Sequence, residues 1–177
     1  RRQRQMCIRD RVLSLEAVLE IVYVRGLTMH RFVERDADGE SRYGLGALRP
    51  HKMGMRADEV ADYVAETSEV TGEFLEVVNY NVQGRQYAIA GTIDGLEAID
   101  ENAEYWAPGQ RAFVPIPGVD VPFHSSLLRG GVEDFRSHLE ELIPRDIDLS
   151  VLVGRYVPNL VARPFSLDRE FVEAIAN

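Results

Sequence analysis

Cysteine and long apolar runs are scarce in this sequence of 177 residues, which contains one cysteine. A single thiol cannot form an intramolecular disulfide and suits a reducing compartment, so we expect a cytoplasmic protein. No run reaches the ~18 apolar residues of a transmembrane helix, so no membrane association is expected. The net charge of −9 disfavours binding to the phosphates of nucleic acids.

Motifs for metals and cofactors are also missing. None of the four histidines pairs with another at a metal-ligand spacing, and there is no cysteine cluster. The segment Gly44-Leu45-Gly46 lacks the strand–turn–helix context of a dinucleotide-binding loop. We therefore expect neither a metal nor a bound cofactor in this domain.

Residues 1–11 differ in character from the rest of the chain. Codon by codon, they resemble a translated transposase sequencing adapter, so we expect them to be an artefact; the alternative is a basic N-terminal arm. They contain five Arg, one Asp and Cys7. Without them, 15 basic and 28 acidic side chains remain, which is a net charge of −13. No cysteine remains either, which excludes a thiol nucleophile.

The spacing of apolar residues predicts a mixed α/β fold. Ser14 is a candidate N-cap for a helix whose inward stripe is Leu15, Val18, Leu19, Val22, Gly26 and Met29. A polar turn at 35–42 follows. The next elements are a strand at 43–49, a helix at 56–71 closed by Gly72, strands at 74–81 and 85–91, a helix at 93–105 and a strand at 112–116. This βαββαβ order predicts a ferredoxin-like arrangement.

The C-terminal part of the sequence has another pattern. Residues 119–126 are typical of an extended loop, and 131–143 of a helix. Residues 149–153 predict a strand and 167–176 a last helix. The inward residues predicted for the first of these helices are Val132, Phe135, Leu139 and Leu142.

Arg25 lies on the apolar stripe of the first predicted helix. A buried guanidinium needs a partner, because leaving it unpaired costs several kcal/mol, about 3–5 when one partner is removed. One interpretation is a structural ion pair, or a side chain that reaches to water. The other is an arginine at the base of a pocket, ready to hold both oxygens of a ligand carboxylate.

His124 lies in Val121-Pro122-Phe123-His124-Ser125-Ser126, where Pro122 stiffens the chain. A histidine in a stiff loop before a helix is a candidate general base, and Ser125 or Ser126 could cap that helix. The alternative is a histidine bonded to a backbone carbonyl. The remaining histidines look structural; His138, for example, falls on the solvent side of its helix.

Asn79 and Asn81 alternate with apolar residues near the end of a predicted strand. Such asparagines often bond the backbone in a turn. A position at a pocket is an equally good interpretation at this stage.

Four motifs, one of them made of two neighbouring segments, together resemble one enzyme family. Residues 20–29 (EIVYVRGLTM) are similar to the helix after the nucleophile elbow of malonyl-CoA:acyl-carrier-protein acyltransferases. Residues 77–81 (VVNYN) and 86–91 (QYAIAG) resemble their small-subdomain hairpin, and 121–125 (VPFHS) their catalytic-histidine loop. Residues 154–165 (GRYVPNLVARPF) resemble a longer signature of type I fatty acid synthases of the fungal (beta-subunit) and actinobacterial kind. These similarities indicate a malonyl/palmitoyl acyltransferase domain.

The resemblance implies an α/β-hydrolase-like acyltransferase core with an inserted ferredoxin-like subdomain. The core would comprise residues 12–38 and 118–177, and the subdomain 39–117. The substrates would be malonyl-CoA and the phosphopantetheine group of an acyl carrier protein (ACP), within a homo-oligomeric synthase.

The resemblance also assigns roles to single residues. His124 matches the catalytic base and Arg25 the residue that pairs the malonyl carboxylate. Phe123 would line the acyl pocket, with Asn79 and Asn159 also on the substrate side.

One part of the family pattern is missing from the sequence. The nucleophilic serine of these enzymes lies in a Gly-x-Ser-x-Gly elbow, which we expect about 25 residues upstream of Arg25, before residue 1. We therefore expect an N-terminally truncated fragment that is inactive alone. Two other hypotheses remain open: a ferredoxin-like regulatory module that binds a small acid through Arg25, and a scaffold without a site.

Overall fold

The computed structural model describes residues 12–144, 146–158 and 160–176. They form two compact units. One is continuous and spans Leu27–Val132; the other combines the residues before it with those after it. The five helices and four strands described are α1 (Leu15–Arg31), β1 (Tyr43–Leu48), α2 (Val60–Thr71), β2 (Leu75–Val82), β3 (Gln86–Thr92), α3 (Ile93–Trp106), β4 (Phe113–Pro115), α4 (Val132–Leu142) and α5 (Arg169–Ala176).

The continuous unit is built on a four-stranded antiparallel sheet. Its strand order is β2-β3-β1-β4, and β1 pairs with both β3 and β4. The predicted βαββαβ order and the ferredoxin-like arrangement are therefore confirmed. Predicted and observed element ends differ by up to four residues, the largest shift being the start of α2 at Val60.

The core of this unit lies between the sheet and the helices α2 and α3. Its fully buried members come from every layer: Leu48, Val60, Val64, Tyr87, Ile89, Ile99 and Phe113. Two glycines of β1 make room for this packing. A Cβ on Gly46 would lie 1.9 Å from the Phe113 ring, and one on Gly44 would lie 3.3 Å from Leu96. The Gly44-Leu45-Gly46 segment thus serves close packing within the core.

The helix ends follow the local sequence signals. Ser14 Oγ accepts a hydrogen bond from the Ala17 amide at 3.1 Å, as predicted for the start of α1. Gly72 ends α2 with a φ of 71°, the left-handed conformation that glycine adopts without strain. Thr92 caps α3 by accepting from the Gly95 amide at 3.3 Å.

The prediction for residues 149–153 is wrong. They contain a 3₁₀ turn, Leu149–Leu152, where we expected a strand. The Asp148 carboxylate accepts from the Ser150 amide at 2.9 Å and starts this turn. A strand requires a neighbour for its ladder, and in the described part of the chain no strand pairs with these residues. The alternation of apolar residues could not reveal that missing neighbour.

The inward apolar faces predicted for two helices are only partly buried. In α1, Leu15 and Leu19 are 49% and 60% exposed, while Val18, Val22 and Met29 are half-buried. In α4 no residue is fully buried, and Val132 is 54% exposed. Amphipathic spacing shows which face of a helix can be buried, but not what covers it. Among the described helices, none is long and apolar enough to cross a membrane.

Candidate active site

The loop that carries His124 lies in the continuous unit and follows β4. Val121 and Pro122 are buried, Phe123 is half-buried, and the His124 side chain is exposed. Phe123 donates its amide to the Val121 carbonyl at 2.8 Å, which gives the loop a tight local turn. The approach to the histidine is therefore a turn at 121–124, where the sequence predicted an extended loop.

His124 has a left-handed backbone conformation, with φ at +67°. Histidine is enriched several-fold among the few non-glycine residues with positive φ, and such residues concentrate at functional sites. The imidazole forms no hydrogen bond with any residue that the structure describes. The alternative interpretation requires a bond to a backbone carbonyl, and no described carbonyl supplies it.

Glu76 of β2 holds the segment directly after the histidine. Its Oε2 accepts hydrogen bonds from both the backbone amide and the Oγ of Ser126, each at 2.8 Å. Ser125 does not cap the following 3₁₀ turn, as we had considered; its Oγ is buried without a partner among the described residues. A carboxylate from the sheet thus takes over the function expected of a local serine.

The far end of the same segment packs against the last turn of α1. A Cβ on Gly131 would lie 2.9 Å from Thr28, and one on Gly130 would lie 3.0 Å from the Phe32 ring. A side chain at either position would require Thr28 or Phe32 to shift. The 3₁₀ turn Ser126–Gly131 is therefore fixed at both of its ends.

The loop is also fixed before the histidine. Asp120 pairs with Arg35 at 2.7 Å, and the Arg35 side chain is only 14% exposed. Arg35 additionally donates to the Gly39 carbonyl at 2.8 Å. The sequence predicts a polar turn at 35–42 and assigns no function to Arg35, because a paired arginine in a turn gives no periodic signal. Glu76 had a weak signal as the only charged residue of β2.

The predicted substrate-side residues lie on several elements. Arg25 is half-buried in α1 and forms no hydrogen bond or ion pair with any described residue. The structural ion pair that we considered for it is thus absent from the described part of the chain. Asn79 is exposed on β2, next to an irregularity in the pairing with β3. Asn159 lies outside the described residues.

Metal-binding geometry is missing from the part of the chain that the structure describes, where no group of three or more His, Cys, Asp or Glu residues could hold an ion. His138 lies on the exposed side of α4, as predicted, with Nδ1 2.8 Å from the Asp134 carbonyl oxygen. The remaining candidates for chemistry are therefore His124, on its fixed loop, and the half-buried Arg25.

Comparison with known proteins gives relatives of one kind, although no family model matches the sequence. The fatty acid synthase beta subunit TOXC of Cochliobolus carbonum is 34% identical over an alignment that is 200 positions long with its gaps and that covers 93% of this chain and 10% of that protein. The chain thus spans about one tenth of the length of such relatives.

Solved structures agree with this similarity. An acyl-carrier-protein S-malonyltransferase from Burkholderia pseudomallei is 31% identical, with a TM-score of 0.57 over 74% of this chain and 38% of that one. FabD from Acinetobacter baumannii is 24% identical and shares the fold over 92% of this chain and 46% of its own, with a TM-score of 0.66. The chain is therefore homologous to a segment of the fungal fatty acid synthase beta subunits and has the fold of the malonyl-CoA:acyl-carrier-protein transacylases.

Proposed function

We propose that this chain is part of an acyltransferase of fatty acid synthesis, which moves malonyl groups and, as a second substrate class, palmitoyl groups between coenzyme A and ACP. The observation that carries the proposal is the similarity over 93% of the chain to a fatty acid synthase beta subunit. The S-malonyltransferase name of a 31% identical structure supports the same reaction. The regulatory module that binds a small acid has no support from these similarities.

His124 acts as the general base in this proposal. A serine from the Gly-x-Ser-x-Gly elbow of the parent protein attacks the thioester carbonyl of malonyl-CoA, and His124 takes the hydroxyl proton. The carbon–sulfur bond breaks, and the CoA thiolate leaves with that proton. The malonyl group is then an ester of the serine. In the second half, the ACP phosphopantetheine thiol gives its proton to His124 and attacks the ester carbonyl. The carbon–oxygen bond to the serine breaks, and the serine oxygen leaves with the proton that His124 returns, so that malonyl-ACP and the free serine are formed.

The fixed loop supports this assignment for His124. Proton transfer is efficient only when the base lies within hydrogen-bond reach of the nucleophile. Glu76, Arg35 and the two glycines hold the segments on either side of the histidine, so its backbone has little freedom to drift. The imidazole itself remains exposed and without a described partner, as an incoming serine requires.

Arg25 pairs with the free carboxylate of the malonyl group in this proposal. Its planar guanidinium can donate two parallel hydrogen bonds to the two carboxylate oxygens. Such a pair distinguishes malonyl from acyl groups without a charge. A half-buried arginine without a described partner is in the state that a ligand carboxylate would complete.

The other substrate-side assignments follow from the resemblance of the sequence to the acyltransferase family. Phe123, half-buried beside His124, is proposed to line the acyl pocket and to crowd branched acyl groups. Asn79 and Asn159 are proposed to contact substrate, the second from its sequence motif alone. Malonyl-CoA and phosphopantetheinyl-ACP are the proposed substrates, and the parent is proposed to be a cytoplasmic homo-oligomeric synthase that needs no metal or bound cofactor for this step.

Two experiments test the proposal. The first is the gene sequence upstream of this chain, which should encode Gly-x-Ser-x-Gly in frame about two dozen codons before Arg25. The second is transfer of labelled malonyl from malonyl-CoA to ACP by the complete domain. His124→Ala should lower its rate at least ~100-fold. His138→Ala removes a solvent-facing histidine of α4 and is the matched control. It should change the rate of malonyl transfer little.

Arg25 has its own test in the same assay. Arg25→Ala should abolish malonyl transfer while leaving acetyl transfer measurable, because malonyl carries a free carboxylate and acetyl carries none. Arg31→Ala, at the exposed end of the same helix, is the control. Equal losses of malonyl and acetyl transfer would contradict the carboxylate-binding assignment.

A further inference from the structure

A groove on the helical side of the sheet has no part in the proposed transfer reaction. It has a volume of about 690 Å³ and runs between α2 and α3, entirely within the continuous unit. Its floor contains the half-buried Met53, Met55 and Tyr63 together with the buried Thr67. The Tyr63 hydroxyl is buried at this floor, close to the side chains of Asn102 and Thr67.

The length of the groove suits a polypeptide segment. The α2 residues that line it extend from Glu59 to Thr71 at helical spacing, so one face of the whole helix contributes. At 1.5 Å per residue this is roughly 18 Å, or about three helical turns. A helix lying along it would contact both walls over this length.

Large apolar side chains at this groove are exposed to solvent. Val70 is 81% exposed although its spacing predicts an inward position on α2, and Trp106 is 66% exposed. Trp106 is the only tryptophan of the sequence. Exposed aromatic and apolar groups around a half-buried floor are typical of protein contact sites.

The charge of the walls indicates the nature of the partner. Helix α2 carries three acidic side chains and α3 carries five, and neither contains a lysine, arginine or histidine. Four acidic residues line the groove itself: Glu59, Asp62, Glu66 and Glu101. They are all exposed, so they form a negative rim around the apolar floor.

We propose that the groove between α2 and α3 binds an amphipathic helix of a partner protein, with an apolar stripe toward Met53, Tyr63 and Trp106 and lysine or arginine residues along both edges. The basic edges pair with the acidic rim, which fixes the orientation and excludes acidic helices. A second copy of this chain is a poor occupant, because the net charge of −9 makes two copies repel each other.

The test uses the full chain and a synthetic helical peptide of about 18 residues, with a leucine stripe flanked by lysines. Trp106 fluorescence reports occupancy directly, since it is the only tryptophan. We expect saturable binding with a blue shift of the emission. Two comparison peptides are used: one with glutamates in place of the lysines, and one that keeps the lysines but has serines in place of the leucines. Both should bind at least about tenfold more weakly.

Variants of the acidic rim test whether the peptide binds at this groove or is attracted non-specifically by the negative charge of the chain. Glu66→Lys combined with Glu101→Lys should weaken the peptide about tenfold or more. Glu140→Lys combined with Glu141→Lys, on α4, makes the same charge change elsewhere and should leave binding unchanged. If the reversed variant does not fold by circular dichroism, the double glutamine variant at 66 and 101 replaces it and should weaken binding in the same direction.

Several results would overturn the proposal. These are equal binding of the glutamate-flanked or serine peptide, equal weakening by the α4 control, and no saturable fluorescence change. Sedimentation that shows a dimer with Trp106 buried would assign the groove to a second copy instead. Activity of the complete acyltransferase is not measured, so failure here would not affect the proposed reaction.

Discussion

Replacing Glu76 with alanine removes both hydrogen bonds that fasten the His124 loop to the sheet. The Glu76 carboxylate accepts from the Ser126 amide and from its hydroxyl, both at 2.8 Å. Hydrogen bonds to charged groups contribute about 1.5–3 kcal/mol each. Glu76 is half-buried, so solvent competes for its oxygen, and we expect the pair of bonds together to contribute about 1.5–3 kcal/mol.

The expected result is local opening of the loop. A loss of about 1.4 kcal/mol corresponds to a tenfold change in an opening equilibrium. Amide hydrogen exchange at Ser126 and Leu128 should therefore accelerate about tenfold or more in Glu76→Ala. Exchange in α2 should change much less, since the helix does not depend on this carboxylate.

Two further variants test whether the Glu76 carboxylate itself holds the loop. Glu76→Gln keeps a carbonyl oxygen that can accept both bonds but loses the charge, so its exchange should lie between wild type and Glu76→Ala. Glu97→Ala removes an exposed carboxylate of α3 that has no described partner, and it should leave the loop unchanged. Unchanged exchange at Ser126 in Glu76→Ala would refute the anchoring by Glu76.

Three other predictions concern the stability of the chain. Gly46→Ala places a Cβ against the Phe113 ring and should destabilise by about 1–3 kcal/mol in urea unfolding, with partial recovery when Phe113→Leu is added; independent effects of the two changes would contradict the contact. Thr92→Ala should cost about 1 kcal/mol through loss of the α3 cap, whereas Thr92→Ser should retain most of it. A hydrogen bond from the Ser166 hydroxyl, and with a smaller effect one from the backbone N–H of Phe171 in α5, holds the pKa of Asp168 below its ordinary value of 3.8. The stability that the Asp168 carboxylate contributes is therefore fully present above pH 3.8. It is lost as the pH falls through the lower pKa of the folded state, and Asp168→Asn should remove this pH dependence.

Local signals were sufficient for much of the secondary structure. Ser14 and Gly72 mark element ends through side-chain capping and positive φ, which depend only on neighbouring residues. The same holds for the order of strands and helices between 43 and 117. The strand prediction for residues 149–153 was wrong because a strand and a 3₁₀ turn can share the same alternation of apolar residues. Which of the two forms depends on whether a distant strand is there to pair with.

The sequence by itself determined the βαββαβ order, the similarity to malonyl transacylases and the candidates His124 and Arg25, because caps, periodicity and motifs are read along the chain. Only the tertiary structure showed Glu76 holding Ser126 across 50 residues, Asp120 pairing with Arg35, and two acidic helices enclosing an apolar groove. Those contacts join residues far apart in sequence, and the energy of each depends on the distance and burial that the fold creates.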